Sequence, residues 1–439
     1  MGGMVMKKFE YIAGFICILL VIFIGKTFLK TDILFFRLLV GLGLGYTLAR
    51  AYTGFAGSVN RAYRTGSAKL MRTLMFMFFI SALATTAFLF KSNPMSYNLW
   101  INPINMGLII GGLLFGFGMS ISVCCASGVL TDLSAGFPRA FITLVFFGLG
   151  VFLGFPVQRT AAWVRNSWFI TPTGVRLNEG VFLPDLFMWD GFGGYLGSLI
   201  LLALFCAIVI FLSYYYEKKR IENKTYIGHM MEMEQEKIEK FDIENFKLFS
   251  VKTYNHIFTK PWTLKQGAVV ITIIFILLMG ITRAGWGAST PYGIWMGKVL
   301  MLFGVPADTL ANFSQMPVDV FELPFFQHQV SVQNFGIIIG AIIYLLTAGI
   351  FIDTFTSELS ISKKDVLLFA LGGITMGLGT RFANGCNVGA LYTPIANFSL
   401  SGWIFLIFMV VGGVISNKIF FKRSTDSGIS NQQQDQVTV

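Results

Sequence analysis

Long apolar runs dominate the chain. Residues 92–131, 140–158, 191–216, 323–352 and 382–417 contain no Asp, Glu, Lys or Arg. Shorter apolar runs at 11–25, 73–90, 266–282 and 366–380 reach spanning length with their flanks. A bilayer core about 30 Å thick takes roughly 20 apolar residues per helix, so the pattern predicts about ten to twelve membrane segments, some of them broken. The apolar pattern fails once. From Glu217 to Lys265 the chain holds 10 Lys/Arg and 8 Asp/Glu, 18 of its 55 charged residues in 49 positions. Such a stretch belongs in water, and it reads as a cytoplasmic linker with helix-forming sequence at His229–Phe241. The predicted organisation is an N-terminal membrane half (1–216), a charged linker (217–265), a C-terminal membrane half (266–423) and a polar tail (424–439).

Composition supports this. Only 13% of residues are charged and the mean hydropathy is +0.69, too little polar surface to coat a soluble protein of 439 residues. The formal net charge of +11 does not point to nucleic acid, because excess Lys and Arg on one side is what membrane insertion selects. The first apolar run follows Lys7 and Lys8 and reads as a retained span of a protein of the bacterial inner membrane. Arg50, Arg61, Arg64, Lys69 and Arg72 cluster between the second and third spans and mark a cytoplasmic side, as do the linker and 418–423. Five cysteines without a C-x-x-C, and three separated histidines, argue against a disulfide scaffold, a zinc site or any other cofactor site.

The two apolar halves resemble each other. GGLLFGFGMSISVCCASGVL begins at Gly111 and GGITMGLGTRFANGCNVGAL at Gly372. An offset of 261 aligns Gly112, Gly116 and Gly118 with Gly373, Gly377 and Gly379, and Cys125, Gly128 and Leu130 with Cys386, Gly389 and Leu391. An earlier pair, at Arg50 and Arg283, aligns Gly54, Phe55 and Ser58 with Gly285, Trp286 and Ser289 at an offset of 231. About 30 additional residues therefore lie in the second half, at 305–333, which reads as a long surface loop. An odd number of spans between the repeats would make the second one inverted, a common transporter build with its site near mid-membrane.

Each cysteine follows a glycine-rich helix and lies in a turn of small residues deep within a charge-free run. The glycines by themselves read as close helix packing. Non-helical backbone at membrane depth must be buried or line a cavity. Cys125 and Cys386 therefore read as facing a passage, whereas Cys17 and Cys206 read as small hydrophobes. Cys124, next to Cys125, suits either packing or redox chemistry. Arg381 lies five residues before Cys386; it either faces the passage, where it attracts an anion, or snorkels to an interface. Arg50 and Arg283 carry the same alternatives. Asn384 and Asn387 flank Cys386 as possible amide donors to oxyanion oxygens, and Gly128 and Gly389 close the two turns. Asp132 and Arg139 read as a membrane boundary.

These motifs resemble the YeeE/YedE family of membrane proteins, which includes thiosulfate permeases. The resemblance covers roughly 40–155 and 270–420 and is carried by Gly111–Gly128 and by GLGTRFANGCNVGALYTPIANFSLSGW from Gly377 to Trp403. It implies an all-α bundle of two pseudo-symmetric halves with short broken helices meeting at a central constriction. It also implies that cysteines there pass a sulfur anion along by S–H···S contacts, with Cys125 and Cys386 matching two of them. The family's R-x-x-x-C-F pattern is broken, since Gly54 stands where its cysteine would be. A selenium compound is thereby left as an alternative cargo. The expected function is a non-enzymatic permease importing a small inorganic sulfur or selenium anion, with lipid around it. The other classes are a membrane redox enzyme using the cysteines, and a membrane subunit whose linker holds a small cytoplasmic sulfurtransferase.

Overall fold

The computed structural model describes residues 2–237 and 250–421, with side chains from residue 7 onward. The polar tail at 424–439 and the linker segment 238–249 lie outside the described residues. The chain is all-helical: nine of its described helices are long and apolar enough to cross a membrane, and Met106–Ser122 is a shorter apolar helix. The principal helices are α1 (Gly2–Phe28), α2 (Asp32–Ala51), α3 (Gly57–Thr65), α4 (Lys69–Leu89), α5 (Met106–Ser122), α6 (Gly128–Asp132) and α7 (Phe137–Thr160). After these come α8 (Tyr195–Glu222), α9 (Leu264–Thr282), α10 (Thr290–Leu302), α11 (Gln329–Ala348), α12 (Lys363–Phe382) and α13 (Ser401–Phe420). Residues 305–328 carry short helical turns, including Ala307–Ser314 and Asp319–Glu322, with Phe321 wholly buried. That stretch is more ordered than a surface loop because Phe321 packs into the core and Lys298 Nζ donates to the Phe321 and Leu323 carbonyls.

Local chemistry explains the helix limits. Thr31 caps α2 by accepting from the Leu34 amide, and Asn105 caps α5 by accepting from the Leu108 amide. Thr263 and Gln266 form a capping box at α9. Four helix exits use left-handed residues at matching repeat positions. Tyr52 (φ 52°) and Arg283 (φ 54°) are 231 apart, and Val123 (φ 58°) and Asn384 (φ 57°) are 261 apart. Left-handed backbone is uncommon for residues with a Cβ, so the same turn at the same register is a strong structural correspondence.

The helices pair reciprocally. α2 lies along α11 and α4 along α9; α5 lies along α13 and α7 along α12; α5 and α12 lie against each other. Glycines make these approaches possible. A Cβ at Gly116 would stand 2.0 Å from the Met409 carbonyl oxygen of α13, and one at Gly45 would stand 2.0 Å from the Ile337 carbonyl oxygen of α11. The repeated G-x-x-x-G positions therefore serve helix packing. Outward-facing Leu19, Phe23, Ile200, Phe211 and Leu367 are exposed, as lipid-facing residues are.

The described parts of the linker pack on one end of the bundle. Buried Glu232 pairs with Arg61 at 3.1 Å and accepts from Ser67 at 2.5 Å; Glu217 pairs with Arg72 at 2.6 Å. Gln235 Nε2 donates to the Ala51 carbonyl, and the Trp262 amide donates to that of Arg50. Arg50 is spent on this contact, donating to the His256 and Lys260 carbonyls and stacking on Trp262. The linker thus closes over the C-terminal end of α2 and the N-terminal end of α9.

Two outcomes follow for this docked segment. Glu232→Gln leaves the Arg61 guanidinium buried without its carboxylate, a loss of about 3–5 kcal/mol for a buried pair. Trypsin cleavage after Lys224 and Lys237, read by mass spectrometry, is expected to rise at least about tenfold. Buried His229, desolvated and close to Arg61, is pulled from 6.5 down to about 3 and stays neutral. The undocked segment would bind a proton that the docked one refuses, so docking holds above about 6.5 and weakens as pH falls towards 3. The protection of the Met230–Glu236 amides, taken relative to their intrinsic exchange rates at each pH, should be lower at pH 5 than at pH 8, and the drop should be smaller in His229→Asn.

Candidate functional site

The two cysteine turns share one construction. Each follows a helix whose exit passes through a left-handed residue, Val123 at the cap of α5 and Asn384 two residues after α12. The Gly128 amide donates to Cys125 Sγ at 3.4 Å. The equivalent Gly389 amide, with that of Val388, faces the Cys386 sulfur. A sulfur that accepts from the backbone keeps its own S–H for another acceptor. The turns continue in helical form, with the Val129 amide bonded to the Cys125 carbonyl at 2.8 Å and the Ala390 amide to the Cys386 carbonyl at 2.6 Å. Cys124, Cys125 and Cys386 are all buried, and Cys125 and Cys386 lie within electrostatic range of each other. Tyr292 at the start of α10 is close to all three and donates its hydroxyl to the Ala126 carbonyl.

Arg381 does not snorkel. It is 3% exposed and its guanidinium is held by neutral oxygens only: Ser289 at 3.0 Å, Thr290 at 3.2 Å, and Gln158 and Thr380 at 3.3 Å. Phe155 lies under it at 5.4 Å. Among the described residues no carboxylate forms an ion pair with it. The Ser289 hydroxyl also lies beside the Cys386 thiol, so one side chain stands between guanidinium and sulfur. A positive group at this depth with neutral partners favours an anion beside it.

The asparagines divide. Asn384 Oδ1 accepts from Gln158 Nε2 at 2.7 Å, which ties it to the Arg381 cluster. Asn387 is buried; its Nδ2 donates to Met119 Sδ at 3.1 Å and its Oδ1 has no partner. A thioether is a poor acceptor, so the Asn387 amide is under-satisfied in either orientation. The Trp100 ring (φ 55°) wedges against Gly287 and Gly389, where an added Cβ would lie 2.2 Å and 2.8 Å from it. At Gly54 an added Cβ meets nothing within 4 Å, whereas at Gly285 it would lie 2.2 Å from Thr393 Cγ2. Asp132 and Arg139 pair at 3.3 Å with Glu358 nearby, at the level where α7 begins. Cys206 bonds the Met75 carbonyl and packs as core, and Cys17 is a half-buried residue of α1. Among the described residues no group of His, Cys, Asp and Glu is arranged to hold a metal ion.

Sequence reasoning did not find Ser289, Thr290, Gln158 or Tyr292. Ser289 had a signal, since it aligns with Ser58 in the repeat; the others had none.

A family model described as sulphur transport matches residues 50–415. The thiosulfate transporter TsuA of Spirochaeta thermophila is 25% identical over 363 residues, 80% of this chain and 87% of that protein. The protein of the same name in Escherichia coli is 21% identical over 85% of this chain and 91% of its own length. The probable transporter YedE of Escherichia coli is 28% identical over 153 residues, 35% of this chain and 36% of that protein. The chain is a multi-pass membrane protein that belongs to the sulphur-transport (YeeE/YedE) family of sulfur-anion transporters.

Proposed function

We propose that this protein is a permease of the bacterial inner membrane that imports a small sulfur-containing anion of the thiosulfate type. The observation that carries the reading is the pair of equivalent C-x-x-G turns. In each, an amide from the closing glycine faces the sulfur, and a guanidinium held by neutral partners stands beside Cys386. Arg381, with Asn384 and Gln158 around it, attracts the charge. Cys386 and Cys125 then present S–H donors and polarizable sulfurs to the soft terminal sulfur of the ion. Each contact is weak, as passage requires: binding must favour arrival without preventing departure.

The halves form an inverted two-fold repeat in this reading. Support comes from the Trp262–Arg50 contact, which brings the start of α9 to the end of α2, its counterpart, on one membrane side. The basic cluster and the linker make that side cytoplasmic. Arg381 then serves the opposite half of the path. A selenium-containing anion shares the soft centre, and transport competition separates the two cargoes.

In a transport-deficient bacterium supplied with thiosulfate as sulfur source, the chain should restore growth. Cys125→Ala with Cys386→Ala is expected to lower uptake by about 100-fold, from two weak donors at roughly 1–1.5 kcal/mol each. Cys17→Ala and Cys206→Ala should leave it unchanged. Growth that survives the double substitution rules out a thiol path. Gly54→Cys should fold with unchanged yield, because its Cβ enters open space, and should raise thiosulfate uptake; Gly285→Cys meets Thr393 and should lower the yield of folded protein.

A further inference from the structure

A second polar cluster lies deep in the bundle on the linker side, away from Arg381. Short helix α3 brings Asn60 and Arg64 against the end of α5 at Ser120 and the end of α13 at Asn417. All four residues are buried, Asn60 and Arg64 to 5% exposure and Ser120 and Asn417 completely. Arg64 Nε donates to Asn417 Oδ1 at 2.9 Å, and Arg64 Nη2 donates to the Ser120 carbonyl at 3.1 Å. The Phe421 ring lies under the guanidinium at 3.8 Å.

Amide orientations here follow from donor chemistry. A guanidinium only donates, so it takes the oxygen of Asn417. Asn417 Nδ2 must then donate, and it does, to the Gly413 carbonyl and to Asn60 Oδ1, each at 2.9 Å. Asn60 is left presenting its Nδ2, which has no partner. The Ser120 hydroxyl, next to Gly413, also has none. A buried N–H without an acceptor costs about 1–3 kcal/mol. The ligand that meets a guanidinium, an amide N–H and a hydroxyl together is an oxyanion.

Register gives the cluster a place. An offset of 261 maps Arg381 onto Ser120. Where the second half grows its arginine from the helix before the cysteine turn, the first half has a serine there and brings a guanidinium to it from α3. The cluster lies at the end of the bundle where the linker packs, since the Ile227 and Gly228 amides bond the Thr65 carbonyl one residue after Arg64.

We propose that Arg64, Asn60 and Ser120 form a second anion-binding station, on the linker side of the cysteine turns, for a tetrahedral sulfur oxyanion. As part of a route it rests on the transport reading; as a binding site it does not. The station receives the anion as it leaves the Cys125 turn and holds it by its oxygens.

The test is equilibrium binding of radiolabelled thiosulfate, and separately sulfate, to the full-length protein in detergent, in an Arg381→Gln background that disables the first station. Asn60→Asp is the informative variant. It keeps an oxygen to accept from Asn417 and adds a charge that pairs with Arg64, so a purely structural role predicts unchanged or higher thermal stability and unchanged binding. The station predicts unchanged or higher stability with binding weakened at least about tenfold, because the donor has become a carboxylate. Arg64→Gln should weaken binding similarly. Arg381→Gln protein that binds neither anion, or Asn60→Asp protein that binds as its parent does, overturns the station. Binding that behaves as expected in a protein that moves no sulfur anion in proteoliposomes overturns the transport reading and leaves the station standing.

Discussion

A bilayer interior supplies no hydrogen-bond partners, so each backbone amide, carbonyl and charge at that depth must find its partner within the protein. Continuous helices satisfy this automatically. The two cysteine turns interrupt helices in the middle of charge-free runs and must be rebuilt from elsewhere. The chain does so by stacking the turns between repeats. The Gly385 amide returns to the Thr380 carbonyl, Asn397 Nδ2 donates to the Leu99 carbonyl, and Tyr292 caps the Ala126 carbonyl. The glycine approaches follow from the same need. Broken segments can support each other only if the helices carrying them nearly touch, as α5 and α13 do at Gly116.

That constraint also governs charge. A guanidinium in low dielectric is costly unless surrounded by acceptors. At Arg381 the acceptors are hydroxyls and an amide instead of a carboxylate. Pairing with an acid would have made the site neutral and stable. Neutral partners leave its charge uncompensated, which is what the proposed reading asks of a group that attracts an anion and lets it go. Elsewhere carboxylates are used: Arg61 and Arg72 take the linker's glutamates, and Arg139 takes Asp132. Arg50 docks the linker through neutral oxygens as well, so the position of an arginine matters as much as the charge of its partner.

The relatives named as thiosulfate transporters cover most of this chain at 21–25% identity. Within this chain the glycine and cysteine register recurs between the two halves, at Gly116 and Gly377 and at Cys125 and Cys386. A Cβ at Gly54 would meet nothing within 4 Å, so a larger side chain has open space there. Gly285, its counterpart, is filled by Thr393, so the two halves are not interchangeable at this point.

By itself the sequence determined the membrane embedding, the helical class and the equivalence of Cys125 and Cys386. These depend on run length, charge density and local register, all of which are one-dimensional. It could not decide whether Arg381 snorkels, because the Ser289 and Gln158 oxygens that hold it lie 92 and 223 residues away. Nor could it separate Arg50 from Arg64 within one basic cluster. The first is consumed by linker carbonyls more than 200 residues on, and the second meets Asn417 from 353 residues away. Tertiary structure decides such cases because a buried polar group takes its meaning from its partners, and in this bundle those partners come from distant parts of the chain.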